Sequence, residues 1–145
     1  MPIEHLKQIR ITPTDLEVHA SLANTYVALS KIYKGAALEE KYQVTARLAI
    51  EEFSILSHYA PNDPWVHEQL AVGYRDLGMP EEEMREVETL LKLRSQDKEI
   101  LYRLGSLYFK QGMNAKGLQI YEELRRGNFK KAEDLISSYG AFFTN

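Results

Sequence analysis

Histidines and runs of acidic residues are the side chains in this sequence best suited to bind a metal or to transfer a proton. His19 and His67 hold the same place in two similar stretches, VHASLANTY and VHEQLAVGY. A metal site would need a third ligand and supporting hydrogen bonds around it, and the sequence suggests neither. The acidic runs at residues 39–40 and 81–83 fall where helices should begin, so they are interpreted as partners of the helix dipole. We therefore expect no metal and no cofactor.

The sequence also lacks the motifs of the common enzyme classes. It contains no glycine-rich phosphate loop, no HExxH or GxSxG motif and no Ser/His/Asp pattern. It has no cysteine, which excludes disulfide bridges and thiol nucleophiles. Its net charge of −3 gives no basic footprint for nucleic acid or an anionic membrane. The opening segment, MPIEHLKQIRIT, lacks the apolar core of a secretory signal. We expect a cytoplasmic protein that is not an enzyme and has no nucleic-acid or membrane partner.

One sequence pattern occurs twice in succession along the chain. PWVHEQLAVGYRDLG begins at Pro64, and KEILYRLGSLYFKQG begins at Lys98. The positions matched at this one offset are Leu70 and Leu104, Ala71 and Gly105, Tyr74 and Tyr108, Gly78 and Gly112, Val87 and Tyr121, and Leu90 and Leu124. A period of 34 with large-x-x-Leu-small-x-x-Tyr followed by glycine resembles the tetratricopeptide repeat, a helix-turn-helix unit.

This resemblance implies an all-α fold, a right-handed stack of antiparallel helical hairpins (a tetratricopeptide-like α-solenoid) with a C-terminal capping helix. The expected boundaries are a tail or short helix over residues 1–13 and a single domain over residues 14–145. Within that domain we expect repeats at about residues 14–63, 64–97 and 98–127, followed by a capping helix over residues 128–139. A degenerate fourth repeat in place of the capping helix remains an alternative.

The first repeat should have the longest helices. Tyr26 matches Tyr74, which lies 48 residues later in the chain. This offset exceeds the 34-residue period by 14 residues, or about four helical turns. Because Ala49 and Phe53 hold the small and aromatic positions of the second helix, the additional residues lie between the two matching halves of the hairpin. Split evenly, they add about two turns to each helix, so that each helix should cover about 19 residues or more. The tip should lie near residues 34–36.

The matched leucines and tyrosines are expected to form the core, namely Leu22, Leu70, Leu104, Tyr26, Tyr74 and Tyr108. Small residues allow two helix backbones to approach where they cross. Ala23, Ala71 and Gly105 supply them on the first helices. Glu83 and Gly117 stand where a second helix would carry alanine, so looser packing is expected at both positions.

In the tetratricopeptide family the partner usually binds in a concave groove lined by the first helix of each repeat. The resemblance places in this groove Glu17, Ala20, Asn24, Val27, Trp65, Glu68, Val72, Arg75, Glu99, Tyr102, Ser106 and Phe109. Trp65, Tyr102 and Phe109 are aromatic, which suits an extended peptide or a partner helix. An alternative is that Trp65 covers the joint of the hairpin and that Tyr102 packs sideways.

One subset of the family binds the C-terminal carboxylate of chaperone tails with two lysines, two asparagines and an arginine. The matching positions here are Ala20, Asn24, Gln69, Glu99 and Arg103. Asn24 and Arg103 agree with that pattern, but both lysines are missing, and Glu99 would repel a carboxylate. The resemblance therefore disfavours this ligand, and it predicts a binding surface made of Asn24, Trp65, Glu68, Val72, Arg75, Glu99, Tyr102, Arg103 and Phe109.

The function implied by the resemblance is a non-catalytic scaffold for protein–protein interaction, such as an adaptor, a co-chaperone or an assembly factor. The partner would be another protein or a peptide segment held in the groove. A secretion chaperone is a narrower version that fits the size and the acidic charge. The alternative is a structural self-assembly module whose stack ends join copies of the chain, including a homo-oligomer formed through the C-terminal end.

We expect the aromatic C-terminal residues 139–143 either to fold back on the terminal helix or to pack against a second chain, because exposed apolar clusters usually mark contacts. Deleting residues 140–145 should therefore lower the melting temperature or change the mass measured by light scattering. A shortened chain with the same melting temperature and the same mass would contradict this prediction.

Overall fold

The computed structural model describes residues 14–139, and all regular structure in this range is helical. The helices are α1 (Thr14–Gly35), α2 (Glu39–Tyr59), α3 (Pro64–Asp76), α4 (Pro80–Leu93), α5 (Lys98–Lys110), α6 (Asn114–Arg126) and α7 (Ala132–Tyr139). The expected N-terminal tail and the last six residues lie outside the described range. The chain divides into two compact units, Met1–Met79 and Pro80–Asn145. The all-α prediction is confirmed for the described residues.

The first unit is built on α2, which packs against both α1 and α3. Ala23 of α1 is fully buried, and Phe53 of α2 and Leu70 of α3 are 1% and 2% exposed. Ala23 lacks a bulky side chain, so α1 can lie close to α2. These three residues belong to one apolar cluster that joins all three helices of the unit.

Leu22 is not a core residue, contrary to the prediction, because its side chain is 37% exposed. Successive residues of a helix are rotated by about 100°. When Ala23 faces α2, Leu22 therefore points away from that helix. Within the first unit α2 is the helix that packs closely on α1, and it does not cover this side.

The helix-ending turns repeat one geometry. The amide of Met79 donates to the carbonyl of Tyr74 at 2.8 Å, with Gly78 between them in the left-handed region at φ +68°. This is the Schellman motif. In the next repeat Met113 donates to Tyr108 at the same 2.8 Å, and the intervening glycine has φ +74°. The period of the sequence is therefore present in the hydrogen bonds as well.

The turn of the first hairpin has this geometry too, and it shows how the additional residues are distributed. Leu38 donates to Tyr33 at 2.9 Å around Ala37 at φ +58°. Tyr33 therefore has the role of Tyr74, yet it lies seven residues beyond Tyr26, the match found in the sequence. The other seven residues lengthen α2. The two helices have 22 and 21 residues, which confirms the expected length and even division.

Aspartates fix the starts of two helices. The Asp63 carboxylate accepts from the amide of Trp65 at 2.9 Å, and Asp97 accepts from Glu99 at 3.0 Å. Asparagine also favours the N-cap position, but Asn114 does not cap α6. Asn114 is the first residue of α6, and Met113 holds the capping position without a side-chain bond. The amide of Met113 closes the preceding Schellman turn, so Met113 belongs both to that turn and to the start of α6.

The second unit is built on α5, which packs against α4, α6 and α7. Val87 and Leu135 are fully buried, and Leu124 is 1% exposed. The prediction of loose packing at Gly117 is wrong. A Cβ atom at Gly117 would lie 2.6 Å from Cε1 of Phe109, so the ring occupies the space that an alanine would need. Glu83 is also buried, at 6% exposure.

None of the helices between residues 14 and 139 combines the length and the apolarity needed to cross a bilayer.

Ala37 is a position where replacement by glycine should stabilise the protein. A left-handed residue with a Cβ atom is strained by about 1–2 kcal/mol, and glycine removes this strain while making the unfolded chain more flexible. We expect Ala37→Gly to raise the free energy of unfolding by about 0.5–1 kcal/mol in urea titrations. The control, Ala36→Gly, should give no gain. Equal stabilities of the two variants would contradict this account of the turn.

Candidate functional site

In the second unit, the C-terminal segment of the chain lies along the face of α5 that was assigned to the groove. Lys131 Nζ is 3.4 Å from the Glu99 carboxylate. The rings of Tyr102 and Phe129 are tilted against each other with centroids 6.1 Å apart. Arg103, the other predicted residue here, is half-buried on α5. Tyr102 therefore packs against the chain's own C-terminal segment.

Tyr139 continues this contact toward the end of α5. Its hydroxyl is hydrogen-bonded to Ser106 Oγ at 2.9 Å, and its ring stacks on Phe109 with centroids 5.4 Å apart. Phe109 is only 2% exposed, so the prediction that it faces solvent is wrong. The physical reason is that Gly117 and Tyr139 enclose the ring from two sides. The chain's own residues therefore cover the α5 face from Tyr102 to Phe109, while Glu99 at the start of α5 remains exposed.

In the first unit Trp65 remains accessible. It is 42% exposed, and its ring and that of Phe53 form a T-shaped pair with centroids 5.5 Å apart and the planes at 75°. Such aromatic pairs stabilise the packing of both rings. Trp65 thus packs across the α2–α3 joint while a large part of its side chain stays exposed.

The other predicted residues of the first unit lie at different depths. Asn24 is exposed on α1, while Glu68 and Val72 are half-buried on α3. Arg75 is exposed, and its Nε lies 3.8 Å from a carboxylate oxygen of Asp76. Of these four predicted residues, only Val72 lines a cavity that lies between α1, α2 and α3.

This cavity has a volume of about 260 Å³ and lies within the first unit. Each helix contributes residues spaced three or four apart, so that one face of each helix forms a wall. The lining residues are Val27, Ser30, Lys31 and Lys34 from α1, Tyr42, Ala46, Ala49, Ile50 and Phe53 from α2, and Gln69, Val72, Gly73 and Asp76 from α3. Small-molecule pockets usually measure about 300–1,000 Å³. The cavity therefore suits one large side chain better than a whole ligand.

Tyr42 links the walls of the cavity at one end. Its hydroxyl donates to the carbonyl of Asp76 at 3.4 Å, and Lys34 Nζ lies 5.4 Å from the centre of its ring. Burial, followed by the nearby carboxylates of Asp76 and Glu39, raises the pKa of Tyr42 above its ordinary value. The phenol therefore stays neutral and keeps its donor role at physiological pH.

The rim of the cavity carries an excess of positive charge. Lys31 and Lys34 are exposed on the α1 side, and within residues 14–139 neither ammonium pairs with a carboxylate. Asp76 is the acidic residue of the lining, and Arg75 stands beside it. The lining residues thus include two lysines and one carboxylate, and the Glu39 carboxylate lies near Tyr42 at the same end of the cavity.

Sequence reasoning missed most of this cavity, because the expected groove stopped at Val27. Lys31, Lys34 and Tyr42 belong to the additional residues that the other repeats lack, so the repeat pattern assigns them no position. A helix drawn past Val27 with helical spacing would have placed Ser30, Lys31 and Lys34 on the same face.

His19 and His67 form hydrogen bonds with separate partners. The Nδ1–H of His19 donates to the Glu52 carboxylate, joining α1 to α2. The ring Nε2 of His67 donates to the carbonyl of Pro61 at 2.6 Å. Among the described residues no group of three His, Asp or Glu side chains converges as a metal site would require.

Neither a protein-family model nor a curated protein matches this chain. Function must therefore be inferred from the helices and from the cavity described above.

Phe109 and Trp65 should respond differently to truncation. Phe109→Ala should lower the free energy of unfolding by about 3–5 kcal/mol, because it empties a closed site in the core of the second unit. Trp65→Ala should lower it by roughly 1–2 kcal/mol, because much of the indole is already in water. Urea unfolding followed by circular dichroism compares the two. A larger loss for Trp65→Ala would show that the indole is the more deeply integrated ring.

Proposed function

We propose that this protein is a non-catalytic protein-binding module that holds a peptide segment of its partner on the face formed by α1, α2 and α3. The observation that carries the proposal is the open apolar cavity of about 260 Å³ in the first unit, with Val27 and Val72 on its walls. Both residues were assigned to the groove from the repeat pattern. The cavity is formed by packed helices, so binding would require little ordering of the scaffold.

Trp65 supports the same function. It is exposed and fixed by Phe53, whose ring also lines the cavity. A rigid, partly exposed tryptophan beside a cavity that fits one side chain is typical of a protein-binding hot spot. An adaptor or an assembly factor that recognises one segment of its partner would use such a surface.

We also propose that the helical hairpins are of the tetratricopeptide type. The support is local geometry that recurs with the period of the sequence. Asp63 and Asp97 cap equivalent helices, and Schellman turns close those helices at Gly78 and Gly112. These features explain why the pattern keeps an acidic residue and a glycine at those positions.

Partner capture can be tested with one charge placed on the cavity wall. Val72→Glu puts a carboxylate against the apolar lining, and desolvating it should abolish capture of partners from lysate. The control is Val44→Glu, at a valine that is 54% exposed outside the cavity, which should leave capture intact. Circular dichroism should show both variants folded.

The outcome separates binding from self-assembly. Equal capture by Val72→Glu and Val44→Glu would show that the α1–α3 face is not the binding surface. Light scattering across a dilution series gives the second criterion. A mass that rises with concentration and falls in the Val72→Glu variant would favour a self-assembly module instead of an adaptor.

A further inference from the structure

We infer that the cavity selects one class of partner segment, in which a large apolar side chain is flanked by acidic residues. This inference depends on the proposed protein-binding function and specifies its ligand. The apolar side chain would enter between Ala46, Ile50 and Val72, while the adjacent carboxylates would reach Lys31 and Lys34 at the rim.

The size of the cavity supports the first half of this inference. About 260 Å³ exceeds the volume of one large side chain and falls below the range of small-molecule pockets. Ala46 and Ala49 form a shallow floor, because each presents only a methyl group. On α3, Gly73 lets Ile50 pack closely against the helix, because a Cβ atom there would lie only 3.0 Å from Cγ1 of Ile50. A Leu, Met or Phe side chain fits these dimensions.

Charge complementarity supports the second half. Lys31 and Lys34 lie one turn apart on the same face of α1, and both are exposed. The Lys34 ammonium rests near the Tyr42 ring, so it is held toward the cavity. A segment with basic residues beside its apolar anchor would meet two like charges there, and that repulsion excludes it.

Both lysines come from the segment that distinguishes the first hairpin from the rest of the chain. The helix of a standard repeat would end near residue 28, and α1 continues to Gly35. Tyr42, which positions Lys34, lies in the matching extension of α2. The elongated hairpin thus supplies the charged rim and one end of the cavity, and this gives the additional turns a role in selecting the partner.

The experiment is a display selection with a library of short peptides that carry a central Leu, Met or Phe and random flanking positions. The bait is the full chain, compared with Lys31→Glu/Lys34→Glu. A matched control is Lys41→Glu, since Lys41 lies over the Tyr33 ring at 5.7 Å but outside the cavity. Binding of selected synthetic peptides is then measured from the fluorescence of Trp65, the single tryptophan of the chain.

We expect the unmodified chain and Lys41→Glu to enrich Asp and Glu beside the apolar residue. The double reversal should lose that preference and raise the Kd of an acid-flanked peptide about tenfold, since two exposed ion pairs become repulsive contacts. High salt should reduce the difference between the variants.

The remaining outcomes decide against the inference in separable ways. Selection of apolar peptides with no charge preference, or with basic flanks, overturns the assignment of the lysines and leaves the proposed function intact. Selection of no peptide above background, with Val72→Glu behaving like the unmodified chain, overturns both. If the preference for acidic flanking residues is lost in Lys41→Glu to the same extent as in Lys31→Glu/Lys34→Glu, the effect comes from the net charge of the protein and not from the rim of the cavity.

Discussion

In both units, helices approach closely where a large side chain on one helix faces a glycine or an alanine on the other. Phe109 lies against Gly117, Ile120 lies against Gly105, and Ala23 is fully buried where α1 meets α2. Interiors are packed as densely as organic crystals, so volume added on one helix must be absent from the helix that faces it. This exchange of volume fixes how the helices pair, and the pairs in turn determine which faces are closed and which remain open.

The sequence predicted what depends on local rules. The length of the helices in the first hairpin follows from the spacing of matched residues, and the structure confirms it. Burial at individual positions depends on neighbours that are distant in sequence. The repeat pattern could not show that Leu22 is exposed on α1, or that the Phe109 ring is enclosed because it fills the space left by Gly117. The cavity was missed for a related reason, because its charged rim lies in residues that have no counterpart in the repeat.

The two units treat equivalent helix faces differently. On α5 the chain's own C-terminal residues contact this face, through the ion pair of Lys131 with Glu99 and the stacking of Tyr139 on Phe109. On α1 and α3 the corresponding region is incomplete, and a cavity remains between apolar walls. The chain's own C-terminal segment thus contacts the α5 face, whereas the cavity of the first unit stays open among the described residues. Of the aromatic residues that the repeat pattern placed in the groove, Phe109 is therefore buried and Trp65 is accessible.

The seven residues added to each helix of the first hairpin have a geometric consequence. At 3.6 residues per turn, seven residues rotate a helix by about 700°, which is roughly 20° short of two full turns. Val27 and Lys34 therefore share a face of α1, and Tyr42 and Ala49 share a face of α2, and all four line the cavity. An insertion of five residues would leave the distal part of a helix rotated by about 140° relative to its partner. The length of such a hairpin can thus change most easily in steps close to a whole number of helical turns, such as a heptad, and the longer hairpin keeps its contacts while acquiring new surface at its tip.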